Sequence, residues 1–113
     1  MRLGSHLLAF SLLVTAAWAA DGGVDVEVFE MNCASCHGVD GRAKTPQGRK
    51  LKARDLRESR MTDPELRQRI REGSRTAAGV WLMPSFGDKL KPDEIEAAMR
   101  HAKTFRPADK PVP

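Results

Sequence analysis

The sequence contains no tyrosine and few other aromatic side chains, with 2 Trp and 4 Phe in 113 residues. A chain of this length has room for one small domain, and this composition supplies few large side chains for its core. Small domains bury a modest fraction of their surface and often depend on a disulfide, a metal or another cross-link. We therefore expect a marginal core that depends on an additional stabilising group.

Cysteine is also scarce: the only two, Cys33 and Cys36, are separated by two residues, and His37 directly follows the second. A structural zinc site needs four ligands, and beyond the first twenty residues only His37 and His101 could join the pair. A thioredoxin-like dithiol is expected near a βαβ pattern, which the flanking sequence does not show. Cys-x-x-Cys-His is instead the attachment signature of c-type haem, with thioethers to the vinyl groups and an imidazole on the iron.

The sequence lacks a hydrophobic run long enough to cross a bilayer comfortably, which takes about 20 residues. Its apolar stretch, 7–17, follows Arg2 and precedes Ala17-Trp18-Ala19, which fits a small-x-small cleavage site. This arrangement predicts a cleavable signal peptide over residues 1–19 and therefore an exported protein. The alternative is an uncleaved leader that remains as an anchoring helix.

The sequence resembles the class I c-type cytochromes. The likeness rests on CASCHGVDG at 33–41, RDL at 54–56, LMPSF at 82–86 and a closing amphipathic helix, and spans about residues 24 to 105. It implies an all-α fold in which three to four short helices surround one haem c, bound covalently through Cys33 and Cys36. It also implies His37 as the proximal iron ligand, Met83 as the distal ligand and a periplasmic location.

The expected domain covers residues 20–106, followed by a flexible Pro-rich tail at 107–113. Residues 24–32 fit either a short strand, with Val24, Val26 and Val28 alternating with acids, or a helix. The helical alternative has Val24, Val28 and Met31 on one stripe. We choose the helix because the family has one leading into its haem motif, and we expect Phe29 to pack against the C-terminal helix.

Two later helices are predicted from their own start signals. Thr62 and Glu65 can form a capping box with Pro64 in the first turn, and this helix should bury Leu66 and Ile70 and stop by Gly73. Pro92 and two acids start the last helix. Its apolar stripe is Ile95, Ala98, Met99, Ala102 and Phe105.

The connections are predicted as loops. In the family, a backbone carbonyl of the loop after His37 accepts a hydrogen bond from the second imidazole nitrogen of the ligand, and Pro46 is a candidate. The loop at 74–88 carries five large apolar residues, which suits the distal face of a haem because they would otherwise form an exposed patch.

Other side chains compete with Met83 for the sixth position. Met31 lies too near the attachment motif to reach the opposite face, and Met99 belongs to a core stripe. Met61 precedes the Thr62 cap and pairs with Leu66 in the pattern of a hydrophobic staple. His101 borders the last helix's stripe, where a surface or half-buried position is expected.

Positive charge is concentrated in residues 42–75, with 12 Arg or Lys against 5 Asp or Glu. Such a run is either a solvated face or a surface that steers an acidic redox partner. We expect no nucleic-acid partner for an exported chain, and contact with a membrane only through partner complexes or an uncleaved leader.

The sequence is therefore interpreted as a monomeric single-electron carrier and not as an enzyme, since His and Met together leave no open position on the iron. Two alternatives involve haem: a five-coordinate protein that binds small ligands or peroxide, and a cytochrome subunit of a larger dehydrogenase or oxidase. A third, without haem, is a dithiol oxidoreductase.

Overall fold

Five α-helices and one short β-hairpin form residues 22–108, the part of the chain that the computed structural model describes. The helices are α1 Gly22–Asn32, α2 Ala34–His37, α3 Pro46–Leu51, α4 Asp63–Glu72 and α5 Pro92–Thr104; the strands are β1 Ser74–Arg75 and β2 Trp81–Met83. A 3-10 turn, Leu56–Glu58, lies between α3 and α4. The predicted signal peptide, 1–19, and the tail residues 109–113 lie outside the described residues.

The predicted helical fold is confirmed, although residues 22–108 hold five α-helices instead of the expected three to four. Helix α3 replaces part of the loop expected after His37, and the hairpin replaces part of the loop at 74–88. Within 22–108, no helix has both the length and the apolar character that a membrane crossing requires.

Helix α1 packs on α5 through Phe29, as predicted. The Phe29 side chain is 1% exposed, and its ring centroid lies 4.9 Å from that of His101 and 5.4 Å from that of Phe105. The expected stripe of Val24, Val28 and Met31 is wrong for two of its members, because Val24 is 60% and Met31 77% exposed. Only one side of α1 is covered by α5, and Phe29 rather than Met31 lies on that side.

Helix α4 begins and ends as its sequence predicts. Thr62 Oγ1 accepts a hydrogen bond from the Glu65 N–H, while Glu65 Oε2 accepts one from the Thr62 N–H at 2.7 Å. Leu66 and Ile70 are buried. The helix stops at Gly73, whose φ of 68° favours glycine and where a Cβ would lie 2.3 Å from the Met83 carbonyl oxygen.

The core lies between α1, α4 and α5. Its contiguous buried residues are Val28, Leu66, Ile70, Phe86, Leu90, Ile95, Ala97, Ala98 and Met99, with Met61 and Met83 packed against them. Helix α5 starts at Pro92 as predicted, and of its expected stripe Ile95, Ala98 and Met99 are buried. Three ion pairs cross between elements, Arg67–Glu96, Arg100–Asp25 and Lys103–Asp63.

We expect Phe29→Ala to lower the free energy of unfolding by about 3–5 kcal/mol, because it removes a fully buried aromatic ring. Met31→Ala, two residues along the same helix, should change it by less than about 0.5 kcal/mol, because that side chain lies in water. Denaturant unfolding of the two haem-loaded variants measures both. Equal losses of unfolding free energy in the two variants would show that α1 does not bury the side of the helix that carries Phe29.

Candidate functional site

One helical turn carries Cys33, Cys36 and His37. Cys33 connects α1 to α2: its N–H donates to the Phe29 carbonyl at 2.7 Å, and its own carbonyl accepts from the His37 N–H at 2.9 Å. Both thiols are free and all three side chains are half-buried. The structure thus places two thiols and an imidazole side by side and accessible to a cofactor.

The protonation of Cys33 bears on a dithiol function. Burial raises the pKa of the Cys33 thiol to about 11, with the neighbouring Cys36 as a further cause. Dithiol oxidoreductases need the opposite, a thiolate stabilised by a lowered pKa. Residues 22–108 also contain no group of three or more His, Cys, Asp or Glu side chains that could hold a metal ion, so zinc has no four-ligand set around these thiols.

The imidazole of His37 is oriented by a backbone carbonyl. Its Nδ1 lies 3.0 Å from the carbonyl oxygen of Arg54, 17 residues further along the chain. A carbonyl only accepts hydrogen bonds, so Nδ1 carries the proton and Nε2 keeps its lone pair. Burial lowers the pKa of His37, and the hydrogen bond to Arg54 opposes that shift. A neutral imidazole with a free Nε2 is the form that binds a metal.

Pro46, the candidate for this carbonyl, is not the acceptor, because the Arg54 carbonyl takes that place and Pro46 lies in the first turn of α3. Thr45 caps α3 by accepting the Gly48 N–H, and its hydroxyl donates to the carbonyls of Ser35 and Cys36. A Cβ on Gly48 would lie 2.2 Å from the Cys36 carbonyl oxygen, so α3 packs on α2 at a glycine. After His37, the chain therefore first packs against α2 through helix α3 and then continues to Arg54, whose carbonyl faces His37.

Arg54 is held in place on both sides. The Ala53 N–H donates to the Gly48 carbonyl and the Leu56 N–H donates to the Gly41 carbonyl, each at 2.8 Å. Arg54 belongs to the RDL segment that carries the family likeness, but no sequence signal identified its carbonyl as the partner of His37, since this contact arises only when two segments distant in sequence fold together.

Met83 lies on a separate element, at the end of β2. Strands β1 and β2 are antiparallel, with Ser74 opposite Met83 and Arg75 opposite Trp81. The Met83 side chain is half-buried against the core, as is that of Met61. The structure therefore brings Cys33, Cys36 and His37 together and holds Met83 on the hairpin.

The hairpin exposes a run of large apolar side chains, Val80, Trp81 and Leu82, which are 60%, 40% and 36% exposed. The guanidinium of Arg75 lies 3.6 Å from the Trp81 ring centroid. Consecutive exposed apolar residues mark a surface that contacts another apolar body. Together with two thiols, an imidazole with a free Nε2 and a thioether on a separate strand, this surface fits a haem as ligand.

Comparisons with known proteins agree with this chemistry. Residues 25–101 match the family described as cytochrome C oxidase, cbb3-type, subunit III. The chain is 34% identical over 83 residues to a cytochrome c6 of Gloeothece citriformis (strain PCC 7424), covering 74% of this chain and 70% of the relative. It is 33% identical over 94 residues to a cytochrome c6 of Nostoc sp. (strain PCC 7120), covering 83% of this chain and 78% of the relative.

Solved structures show the same relationship. The KustC0563 c-type cytochrome superposes with a TM-score of 0.62 at 29% sequence identity, covering 74% of this chain and 98% of its own. A mutant of that protein superposes with a TM-score of 0.58 at 31% sequence identity, covering 77% of this chain and 100% of its own. Because the matched segment contains the thiols, the imidazole and most of the core, the chain belongs to the c-type cytochrome domain family of cbb3-type cytochrome c oxidase subunit III, whose members carry covalent haem c.

Proposed function

We propose that the protein is an exported mono-haem electron carrier in which Cys33 and Cys36 bind the haem, His37 is the proximal ligand and Met83 the distal ligand. The observation that carries the proposal is the hydrogen bond from His37 Nδ1 to the Arg54 carbonyl, which leaves Nε2 free beside two unpaired thiols. Haem c supplies one-electron redox chemistry when bound. The carbonyl acceptor fixes the His37 tautomer and makes the imidazole a stronger donor.

Met83 is a better candidate for the distal ligand than Met61. Pro84 favours an extended conformation at Met83, and Gly73 leaves room for the Met83 backbone to pass the end of α4. The Met61 backbone is engaged elsewhere, since its carbonyl accepts from Arg106 Nη2 at 2.9 Å. If His37 and Met83 both held the iron, no position would remain for substrate, and the thioether would raise the reduction potential.

The partner is proposed to be a redox protein with an acidic surface. In the basic run, Arg57 and Arg67 pair with Asp55 and Glu96, and Arg69, Arg71 and Arg75 lie exposed on α4 and β1. All basic side chains of 42–54 are also exposed. We call these the basic segment; they are Arg42, Lys44, Arg49, Lys50, Lys52 and Arg54. Among the residues that the structure describes, Arg42 is the member of this segment with an ion pair, to Asp40 at 3.7 Å. Because this segment is bonded to α2 through Thr45 and to His37 through Arg54, a partner docked on it would lie beside the haem motif.

Export is supported by the leader pattern at 1–19. The family match to an oxidase subunit also favours a second candidate function, a cytochrome subunit of a larger complex. Gentle extraction of the native protein decides between them: a free carrier appears in the periplasmic fraction alone, and a subunit remains with a membrane complex.

Replacing Met83 should change the iron site. We expect Met83→Ala to lose the sulfur-to-iron absorption band of the oxidised protein, to lower the reduction potential and to bind carbon monoxide when reduced, because the sixth position becomes open. Met61→Ala is the matched control, since it removes a thioether packed on the same core. That control should lose stability and keep the band; loss of the band in Met61→Ala alone would show that Met61 is the ligand.

Neutralising part of the basic segment should slow reaction with anions. We expect Lys50→Gln/Lys52→Gln to reduce the rate of oxidation by ferricyanide roughly threefold at low ionic strength, with the difference disappearing at high salt. Arg71→Gln/Lys89→Gln makes the same change in net charge on other elements and should have a smaller effect. Equal effects of the two variants would show that only net charge matters and that the basic segment is not the docking surface.

A further inference from the structure

Asp55 and Arg57 form a dense local contact next to the residue that holds His37. Asp55 Oδ1 accepts the backbone N–H of Arg57 at 3.0 Å and its Nε–H at 3.1 Å, and Oδ2 accepts from Arg57 Nη2 at 2.7 Å. The Arg57 guanidinium holds the pKa of the Asp55 carboxyl below its usual value. We call this pair the Asp55–Arg57 clamp.

The clamp differs from the Arg–carboxylate pairs that join separate helices. Arg67–Glu96 joins α4 to α5, and Arg100–Asp25 joins α5 to α1. The clamp joins residues only two apart and connects no two helices. Since exposed ion pairs add little to stability in general, the effect of the clamp must be sought in the backbone that it encloses.

That backbone determines the direction of the Arg54 carbonyl. The peptide unit between Arg54 and Asp55 is planar, so its orientation depends on ψ of Arg54 and φ of Asp55. Hydrogen bonds from the Ala53 and Leu56 N–H groups fix where this segment lies. The Asp55 side chain, bonded to the Arg57 N–H, holds Asp55 at φ −67° and ψ 115° and starts the 3-10 turn. The carbonyl of Arg54 consequently points at His37 Nδ1.

We infer that Asp55 and Arg57 are positioning residues for the proximal ligand, which act by aligning the Arg54 carbonyl with His37 Nδ1–H. A well-aligned acceptor makes the imidazole a stronger donor and favours the oxidised iron. Loosening the clamp weakens this hydrogen bond and shifts the reduction potential upward. The inference rests on the proposed role of His37 as ligand.

The test uses the haem-loaded protein and three variants. Asp55→Ala removes the whole clamp, whereas Asp55→Asn retains an oxygen for the Arg57 N–H and removes the charge. Glu96→Gln is the control, because it breaks a comparable ion pair with Arg67 away from His37. Two quantities are measured: the reduction potential, and the solvent exchange rate of the His37 Nδ1 proton by NMR of the reduced, diamagnetic protein.

We expect the potential and the exchange rate to rise in Asp55→Ala, to rise less in Asp55→Asn and to stay at the wild-type values in Glu96→Gln. Unchanged values in a folded Asp55→Ala, or equal changes in Glu96→Gln, would overturn the positioning role. If Asp55→Ala does not fold, Asp55→Asn with unchanged values overturns it equally. A wild-type spectrum without imidazole ligation would contradict the ligand assignment itself, which keeps the two failures distinct.

Discussion

The hydrogen bond between His37 and the Arg54 carbonyl is the constraint on which the site depends. It joins the turn that carries the two thiols to a segment 17 residues later, and it fixes which imidazole nitrogen is free. The intervening chain is shaped to permit it. Gly48 lets α3 approach the Cys36 carbonyl, Thr45 bonds to the end of α2, and Gly41 accepts the Leu56 N–H. If the chain did not follow this path, His37 would lack its hydrogen-bond partner even with the Cys-x-x-Cys-His sequence intact.

The core and the site are built from different parts of the chain. Helices α1, α4 and α5 bury the apolar residues, and ion pairs between them lie at the edge of that core. The proposed site uses α2, the 38–56 segment and the hairpin, which contribute polar contacts and exposed apolar side chains. The two parts meet at Met83, which lies on the hairpin and packs against the core. In the proposed site, a covalent haem c would serve both as redox centre and as the apolar body that covers the hairpin side chains.

Features governed by neighbouring residues could be predicted from the sequence. The capping box of Thr62 and Glu65, the stop at Gly73 and the start at Pro92 are local, and the structure has all of them. The contact of Phe29 with α5 was predicted from the family resemblance and not from periodicity. The haem-attachment motif itself was recognised from five consecutive residues, because covalent attachment and ligation require thiols and imidazole at fixed spacing.

Features that arise from tertiary packing could not be predicted. Pro46 and Gly48 indicated a loop, yet Pro46 occupies the first turn of α3 and Gly48 is required by contact with Cys36. The candidate hydrogen-bond acceptor for His37 and the predicted buried side of α1 were wrong for the same reason, because each depends on which segment of the chain packs against it. The basic run at 42–75 looked uniform in the sequence, and only the structure shows that Arg42, Arg57 and Arg67 have acidic partners within it.

The most direct test of the account is the intact mass and absorbance spectrum of the protein, purified from a host that can mature c-type cytochromes. We expect a chain that has lost its first residues and gained one haem, with a six-coordinate spectrum that includes the sulfur-to-iron band when oxidised. A compactly folded, colourless protein with both thiols unmodified would contradict it.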